Sequence, residues 1–380
     1  MNGKPTRSAR HYLGRTNMTS LAIRATAASL ILAQLLGTAI ADEKTLQPLM
    51  DRIIADGAPG VIVLSRNGND EIILAAGRGN LAPERPIAPT DRTRMGSITK
   101  TFVSVVVLQL VEAGEIGLDQ TIETYIPGLV PGGPSPTVRQ LLNHTSGIYD
   151  YWQDEAFLGR LLGDPAQVWS PTSLVDIATA HPPTSEAGTA WAYSNTNYIL
   201  LGLLIEAVTG NTVANEIQDR ILAPMNLEET SFDSSPQIAG NYAHGYADLG
   251  DAALTNVTLV NPSAAWSAGG GLVSTAEDVA DFYAGLMGGA LLSPEQLANM
   301  MTTIAARDGL AYGLGIAEVD VECGTAWGHQ GEFPGYLSFA LSSEDGDRQA
   351  VVLVNFYSLS EHGRAAFDDL ISAALCRWER

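Results

Sequence analysis

The sequence predicts a mixed α/β protein of the α+β type, with one antiparallel sheet built from both chain ends, helices that flank it, and an inserted helical lobe. Strand patterns occur near both ends of the chain, at 61–66 and 71–76 and again from residue 312 onward. Between them, residues from about 120 to 264 mix short helical patterns with loops rich in proline and glycine, such as 127–136. Strands at both ends with helices between them favour a single sheet that both chain ends complete.

The first half of this sheet follows a predicted helix at 45–55. The strands at 61–66 and 71–76 are joined by Asn67-Gly68-Asn69-Asp70, a turn sequence that predicts a hairpin. A strongly apolar run at 101–110 (TFVSVVVLQL) then predicts a buried helix, which Gly114 ends.

The second half begins at residue 276 with two helical patterns. Four strands and a closing helix follow, predicted at 312–319, 323–328, 336–342, 349–356 and 361–378. No internal repeat or linker interrupts the chain. We predict one catalytic domain at 42–380, with a sheet lobe at about 42–119 and 265–380, a helical lobe at about 120–264, and a cleft between the lobes.

The first 41 residues have the composition of a secretory signal peptide. They carry five basic and no acidic side chains, run apolar from 25 to 40, and end in the small-residue sequence Ala39-Ile40-Ala41. We therefore predict cleavage after Ala41 and a periplasmic or secreted mature protein. No other apolar stretch approaches ~20 residues. The residue directly after the cleavage site is Asp42 and not a cysteine, so no membrane anchor is predicted for the mature form.

The acidic composition excludes some partners. The formal net charge is −21, which disfavours binding to nucleic acid and to anionic membranes. The six histidines form no H-E-x-x-H pattern and the two cysteines no zinc signature, so neither a metal site nor a cofactor is predicted. Cys323 and Cys376 fall in a predicted strand and the last helix. These elements can pack together, so a disulfide and two free thiols both remain open.

Ser97-Ile98-Thr99-Lys100 carries the strongest chemical signal. Positions i and i+3 share one helix face, so the Lys100 amine can reach the Ser97 hydroxyl. The helix N-terminus favours negative charge on Ser97, and burial disfavours the charged form of Lys100. Lysine occurs only at positions 4, 44 and 100, so a lysine in an apolar helix is not there for solubility. We predict Ser97 as nucleophile and Lys100 as base; a chance pair with a snorkelling amine is the alternative.

Three further clusters accompany this pair. Tyr193-Ser194-Asn195 opens a helical run; a tyrosine there can carry a proton, and Asn195 can hydrogen-bond a substrate amide. Gly328-His329-Gln330-Gly331, followed by Glu332, lies between two strand patterns. At 141–148 (LLNHTSGI) a short helix ends in a turn, with His144 as a structural hydrogen-bonding residue.

Together these motifs resemble the serine beta-lactamase and DD-peptidase superfamily, in particular its class C and DD-carboxypeptidase branch, which includes D-aminopeptidases and esterases. Ser97 and Lys100 match the family's nucleophile and base, Tyr193 and Asn195 its Tyr-x-Asn element, and His329-Gln330-Gly331 its Lys-Thr-Gly triad. The motifs occur in the family's order, and the resemblance covers essentially the whole mature chain. It implies a beta-lactamase/transpeptidase-like fold, an acyl-enzyme on Ser97, and backbone N–H groups of Ser97 and Glu332 as the oxyanion donors.

The departures from the family pattern concern the substrate. The family's Lys and Thr bind a substrate carboxylate, but here His329, Gln330 and Glu332 occupy this region, and no Lys or Arg occurs at 308–347. We therefore predict that Asn195, His329, Gln330, Gly331 and Glu332 bind a small-molecule or short-peptide amide or ester with a neutral or cationic end. The prediction is an exported DD-carboxypeptidase/D-aminopeptidase-like hydrolase or esterase. A class C-type beta-lactamase and a non-hydrolytic binding protein remain alternatives, and the oligomeric state is open.

Overall fold

The computed structural model describes residues 40–41, 43–130, 135–250, 253–307, 309–376 and 378–379 of the 380-residue chain. Apart from its last two residues, the predicted signal peptide lies outside the described residues.

The strands, in chain order, are β1 (Ile40–Ala41), β2 (Gly60–Asn67), β3 (Asp70–Leu81), β4 (Glu84–Pro86), β5 (Thr93–Arg94), β6 (Ser231–Phe232), β7 (Tyr246–Ala247), β8 (Thr255–Asn256), β9 (Leu272–Ser274), β10 (Ile304–Arg307), β11 (Leu310–Tyr312), β12 (Ala317–Val321), β13 (Gly324–Phe333), β14 (Tyr336–Ser343), β15 (Arg348–Val354) and β16 (Trp378–Glu379). The α-helices are α1 (Glu43–Ala55), α2 (Thr99–Glu112), α3 (Val138–Leu142), α4 (Glu155–Gly163), α5 (Pro171–Thr179), α6 (Asn195–Thr209), α7 (Val213–Ile217), α8 (Ala223–Met225), α9 (Ala276–Met287), α10 (Pro294–Met301) and α11 (Glu361–Cys376).

The main sheet is antiparallel and joins the two ends of the described chain. Its strand order is β10-β11-β12-β13-β14-β15-β2-β3-β4. The late strand β15 pairs with the early strand β2, with Val352 opposite Val63. These central strands read as continuous apolar runs because both faces of the sheet are covered. The α+β arrangement predicted from the sequence is therefore observed.

Helices cover the two faces of the sheet, and each face has its own core. Alternate residues of β2 point to opposite sides, so Val61 and Val63 pack in the cluster with α1 and α11. Ile62 and Leu64 pack in the other cluster, which contains α2 and α9. Helix α2 is apolar on every side, and it is buried along nearly its whole length, as the run at 101–110 predicts.

Two sequence predictions in the late strands are wrong. The strand predicted at 312–319 is divided into β11 and β12, because Gly313 donates its N–H to the Ile316 carbonyl over 2.8 Å in a tight turn. Residues 328–332, which we placed between two strands, lie inside β13. Gly328 and Gly331 allow close packing of this strand, because a Cβ on either would lie within about 2 Å of a neighbouring carbonyl oxygen.

Cys323 and Cys376 form a disulfide, which resolves the alternative left open by the sequence. It joins the turn before β13 to the last residue of α11.

No single helix in the described part of the chain is long and apolar enough to cross a membrane; only the bent pair Asn195–Thr209 and Val213–Met225, which meet at 82°, passes that test together.

Candidate active site

Ser97 and Lys100 lie where a short 3₁₀ turn, Gly96–Ile98, leads directly into α2. Lys100 Nζ donates to Ser97 Oγ over 2.8 Å. The Lys100 side chain is completely buried, and Ser97 is half-buried. The contact expected within Ser-x-x-Lys is therefore present, and the alternative of a snorkelling amine is wrong because no part of this side chain reaches solvent.

The Lys100 amine has three acceptors. Besides Ser97 Oγ, they are Asn195 Oδ1 at 2.9 Å and the backbone carbonyl of Ala268. Burial lowers the pKa of Lys100 from 10.5 to about 7, and the negative charge of Asp150 opposes part of this shift. A neutral amine has two hydrogens and one lone pair, so Lys100 can accept the Ser97 proton and still donate to the other two partners.

Tyr193 completes the arrangement around the nucleophile. Lys100 Nζ lies 4.9 Å from the centre of its ring, and the Ser97 side chain is close enough to affect the pKa of its hydroxyl. Burial raises the pKa of Tyr193, an effect that the Ser97 contact only partly offsets. The side chain is therefore a phenol at neutral pH and can donate a proton, but it cannot serve as a resident phenolate base.

Asn195 connects Lys100 to a buried acid. Its Oδ1 accepts from Lys100, while its Nδ2 donates to Asp150 Oδ2 over 3.1 Å. One hydrogen of the Asn195 amide is thus used within the protein. The second hydrogen is left for the predicted contact with a substrate.

The segment His329–Phe333 of β13 forms an open strand edge beside the nucleophile. Pairing with β12 ends at Gly328, whereas pairing with β14 continues to Phe333. A Cβ on Gly331 would lie 2.0 Å from the Met95 carbonyl oxygen, and one on Gly96 would lie 2.4 Å from the Glu332 nitrogen. Both positions need glycine for this close approach, which brings the Glu332 backbone N–H next to the nucleophile turn.

His329 is held as a neutral ring. Its Nδ1 donates to the Gln330 carbonyl oxygen over 2.5 Å, because a carbonyl can only accept. Its Nε2 then accepts from the Tyr312 hydroxyl at 2.8 Å. Burial and, secondarily, the nearby Lys100 lower the pKa of His329 to about 3. His329 therefore brings no positive charge to β13, although it occupies the position of the family's lysine.

Gln330 and Glu332 point to the opposite face of the sheet from His329, toward α11. Gln330 Nε2 donates to Glu332 Oε1 over 3.1 Å, and Arg364 of α11 donates to the same oxygen over 2.8 Å. The sequence showed no cation near this strand, and that conclusion was incomplete because Arg364 arrives from the last helix. Its charge is matched by Glu332, and both side chains are about one-third exposed.

His144 supports the loop that carries Tyr193. The two rings lie 4.2 Å apart, and His144 Nδ1 accepts from the Ser194 backbone and from Asn197 Nδ2, both at 3.2 Å. Burial lowers the pKa of His144. It is a neutral hydrogen-bonding residue, as the sequence suggested.

Among the residues that the structure describes, no group of three His, Cys, Asp or Glu side chains is placed to hold a metal ion. Sequence reasoning missed Asp150, Tyr312 and Arg364 as parts of this site. Asp150 follows the LLNHTSGI segment within two residues, which is a usable signal, whereas nothing local distinguishes the other two.

Comparison with known proteins gives consistent results. Residues 43–374 match the family described as Beta-lactamase. A penicillin-binding protein of Bacillus subtilis (strain 168) is 25% identical over 85% of this chain and 74% of its own length. A D-aminopeptidase of Brucella anthropi is 26% identical over 79% of this chain, which spans 56% of that protein. The crystal structure of a D-stereospecific amidohydrolase from a Streptomyces species has a TM-score of 0.81 and 35% identity, covering 88% of this chain and 99% of that one.

Proposed function

The chain belongs to the beta-lactamase family and is a serine hydrolase, and we propose that it acts after export on small amides of D-amino acids, whose leaving group lacks a carboxylate. The family match confirms the resemblance seen in the sequence. The substrate, the export and the individual residue roles are the proposed part.

The proposed mechanism uses the contacts around Ser97. Neutral Lys100 accepts the hydroxyl proton over 2.8 Å while Ser97 Oγ attacks the substrate carbonyl carbon. The backbone N–H groups of Ser97 and Glu332 stabilise the oxyanion, since Glu332 N lies beside the nucleophile turn. Tyr193, a phenol, donates its proton to the leaving amine and is reprotonated from Lys100. Water then hydrolyses the acyl-enzyme, and Ser97 regains its proton.

The Glu332–Arg364 pair carries the substrate proposal. The Glu332 side chain points toward α11, but its negative charge still acts on the site, where it adds to the larger effect of burial in raising the pKa of Tyr193. A substrate carboxylate at the edge of β13 would be repelled by this charge, and Arg364 already donates to the same acid. His329 is neutral, so it offers no replacement charge. A neutral amide end or a cationic end avoids this repulsion. The Brucella and Streptomyces relatives, described as a D-aminopeptidase and a D-stereospecific amidohydrolase, support the same substrate class.

A matched pair of substrates tests the proposal. D-Ala-D-Ala with a free carboxylate and the same dipeptide as its C-terminal amide differ by one charge. We expect kcat/KM for the amide to exceed that for the acid by at least about tenfold, a modest ratio because Glu332 is partly exposed. D-alanine p-nitroanilide should also be hydrolysed faster than its L-enantiomer. Equal or reversed rates for the dipeptide pair would refute the charge argument.

A class C-type beta-lactamase is the second candidate, favoured by the family match and the penicillin-binding relative. It requires nitrocefin to be a better substrate than either dipeptide. A non-hydrolytic binding protein would instead be acylated once and release no further product.

Export is tested separately. The protein is isolated from the periplasm or medium, and its N-terminal sequence should begin at Asp42.

A further inference from the structure

Asp150 is a buried acid that the proposed reaction does not use directly. It lies in the loop between α3 and α4, and its relative exposure is 7%. Acids with so little exposure are rare in proteins unless they are paired. Its partners therefore indicate what it does.

Three N–H groups donate to this carboxylate. Oδ1 accepts from the backbone N–H of Trp152 at 3.2 Å and of Asn195 at 3.0 Å. Oδ2 accepts from the Asn195 side-chain amide at 3.1 Å. Ser194, the N-cap residue of α6, makes no side-chain cap, so Asp150 supplies an acceptor and a negative charge at the start of that helix.

We propose that Asp150 is a positioning residue whose carboxylate fixes the Asn195 amide so that the amide oxygen, and not its nitrogen, faces Lys100. A carboxylate only accepts hydrogen bonds, so the amide edge toward Asp150 must be Nδ2. Oδ1 is then directed at Lys100 Nζ, 2.9 Å away. With the amide turned over, two donors would face each other at Lys100 and two acceptors would face each other at Asp150. The proposal rests on the proposed function, in which Lys100 is the base.

The surroundings of Lys100 make this orientation matter. His144 and His329 are neutral, and the rings of Tyr193 and Tyr198 lie 4.9 and 5.4 Å from Nζ. Asp150 is the group whose negative charge favours the ammonium form. Its removal therefore takes away both that charge and the reason for the amide oxygen to face Lys100.

Asp150→Asn is the direct test. Its amide can keep its oxygen toward the two backbone N–H groups, but its nitrogen then faces Asn195 Nδ2. The Asn195 amide turns over, and Lys100 loses an acceptor as well as a nearby charge. We expect the pKa of Lys100 to fall by about one unit or more, since hydrogen bonds to charged groups are worth that much.

The amine can be observed without any substrate. With lysine only at positions 4, 44 and 100, protein labelled with ε-¹³C-lysine gives at most three signals to follow against pH by NMR. The matched control is Asp154→Asn. Asp154 caps α4 through the Phe157 N–H at 2.6 Å, a role that asparagine can also fill, and in the described part of the chain no hydrogen bond joins it to Lys100 or Asn195, so this change should leave the Lys100 titration unchanged.

An exchange of the two side chains, Asp150→Asn with Asn195→Asp, covers the case in which Asp150→Asn fails to fold. The exchange keeps the charge and a donor–acceptor match but places the carboxylate against Lys100, so the pKa of Lys100 should rise above the wild-type value. A Lys100 titration unchanged by Asp150→Asn or by the exchange overturns the proposal. The predicted shifts support it whether or not D-amides are substrates, which separates this test from that of the proposed function.

Discussion

Replacement of Lys100 by arginine should abolish most of the activity while the protein stays folded. Arginine keeps a positive charge and can donate to the acceptors that Lys100 contacts, namely Ser97, Asn195 and the Ala268 carbonyl. It differs in one chemical respect, because a guanidinium is not deprotonated in proteins and cannot accept the Ser97 proton.

The expected size follows from the Lys100 pKa of about 7. At pH 7 about half of the amines are neutral, whereas an unperturbed lysine would be neutral in roughly 1 of 3000 molecules. Burial has therefore made the amine usable as a base near neutrality. General-base catalysis typically contributes about 10²- to 10⁴-fold, so we expect Lys100→Arg to lose at least about a hundredfold in kcat.

The assay compares kcat for D-alanine p-nitroanilide or p-nitrophenyl acetate with the thermal unfolding midpoint of the same sample. Lys44→Arg is the matched control, since Lys44 is exposed on α1 and should tolerate the change. Lys100→Met, which cannot act as a base, gives a second reading if arginine is too large for the buried position. A kcat within tenfold of wild type in folded Lys100→Arg would remove Lys100 from the mechanism.

Three other outcomes are expected. The value of kcat/KM should be constant above pH 7 and should fall about tenfold per pH unit below it, because protonated Lys100 cannot act as the base. A flat profile from pH 5.5 to 8 would contradict this. Glu332→Ala or Glu332→Thr should remove the acid that pairs with Arg364. Activity on D-Ala-D-Ala relative to its C-terminal amide should then rise by about tenfold. An unchanged ratio of the two kcat/KM values would contradict the charge argument. Replacing Cys323 and Cys376 by serine should lower the free energy of unfolding by about 4 kcal/mol at most, because the disulfide closes a long loop. The value of kcat/KM should not change, because the disulfide lies at the end of β13 away from Glu332. Equal stability of the variant and the wild type would refute the stabilising role.

The sequence predicted those parts of the fold that depend on local pattern. Strands β2 and β14 and helices α2 and α11 were placed within two residues at each end, because each follows a local pattern of apolar residues that the sequence shows directly. The sequence predicted one antiparallel sheet from both chain ends, but not the order or register of its strands. Order and register depend on contacts between residues that are far apart in the sequence. The strand at 312–319 failed because its apolar pattern continues through the turn that separates β11 from β12.

The site was predictable to the same extent. Ser97 and Lys100 are three residues apart on one helix, so their contact follows from helix geometry. Arg364 reaches Glu332 from 32 positions away, and no local pattern indicates this pair. The sequence indicated Glu332 as an unpaired acid on the strand, whereas the structure pairs it with Arg364. The hydrogen bond to His329 Nε2 likewise comes from Tyr312, which a different strand contributes.

Covalent labelling of Ser97 tests the central claim most directly. After brief incubation with a fluorophosphonate or a labelled penicillin, the protein should gain the mass of one adduct, and peptide mapping by mass spectrometry should place it on the peptide that contains Ser97. Ser97→Ala should take up no label. An adduct that persists undiminished in Ser97→Ala, or that maps to another residue in the wild type, would contradict the account.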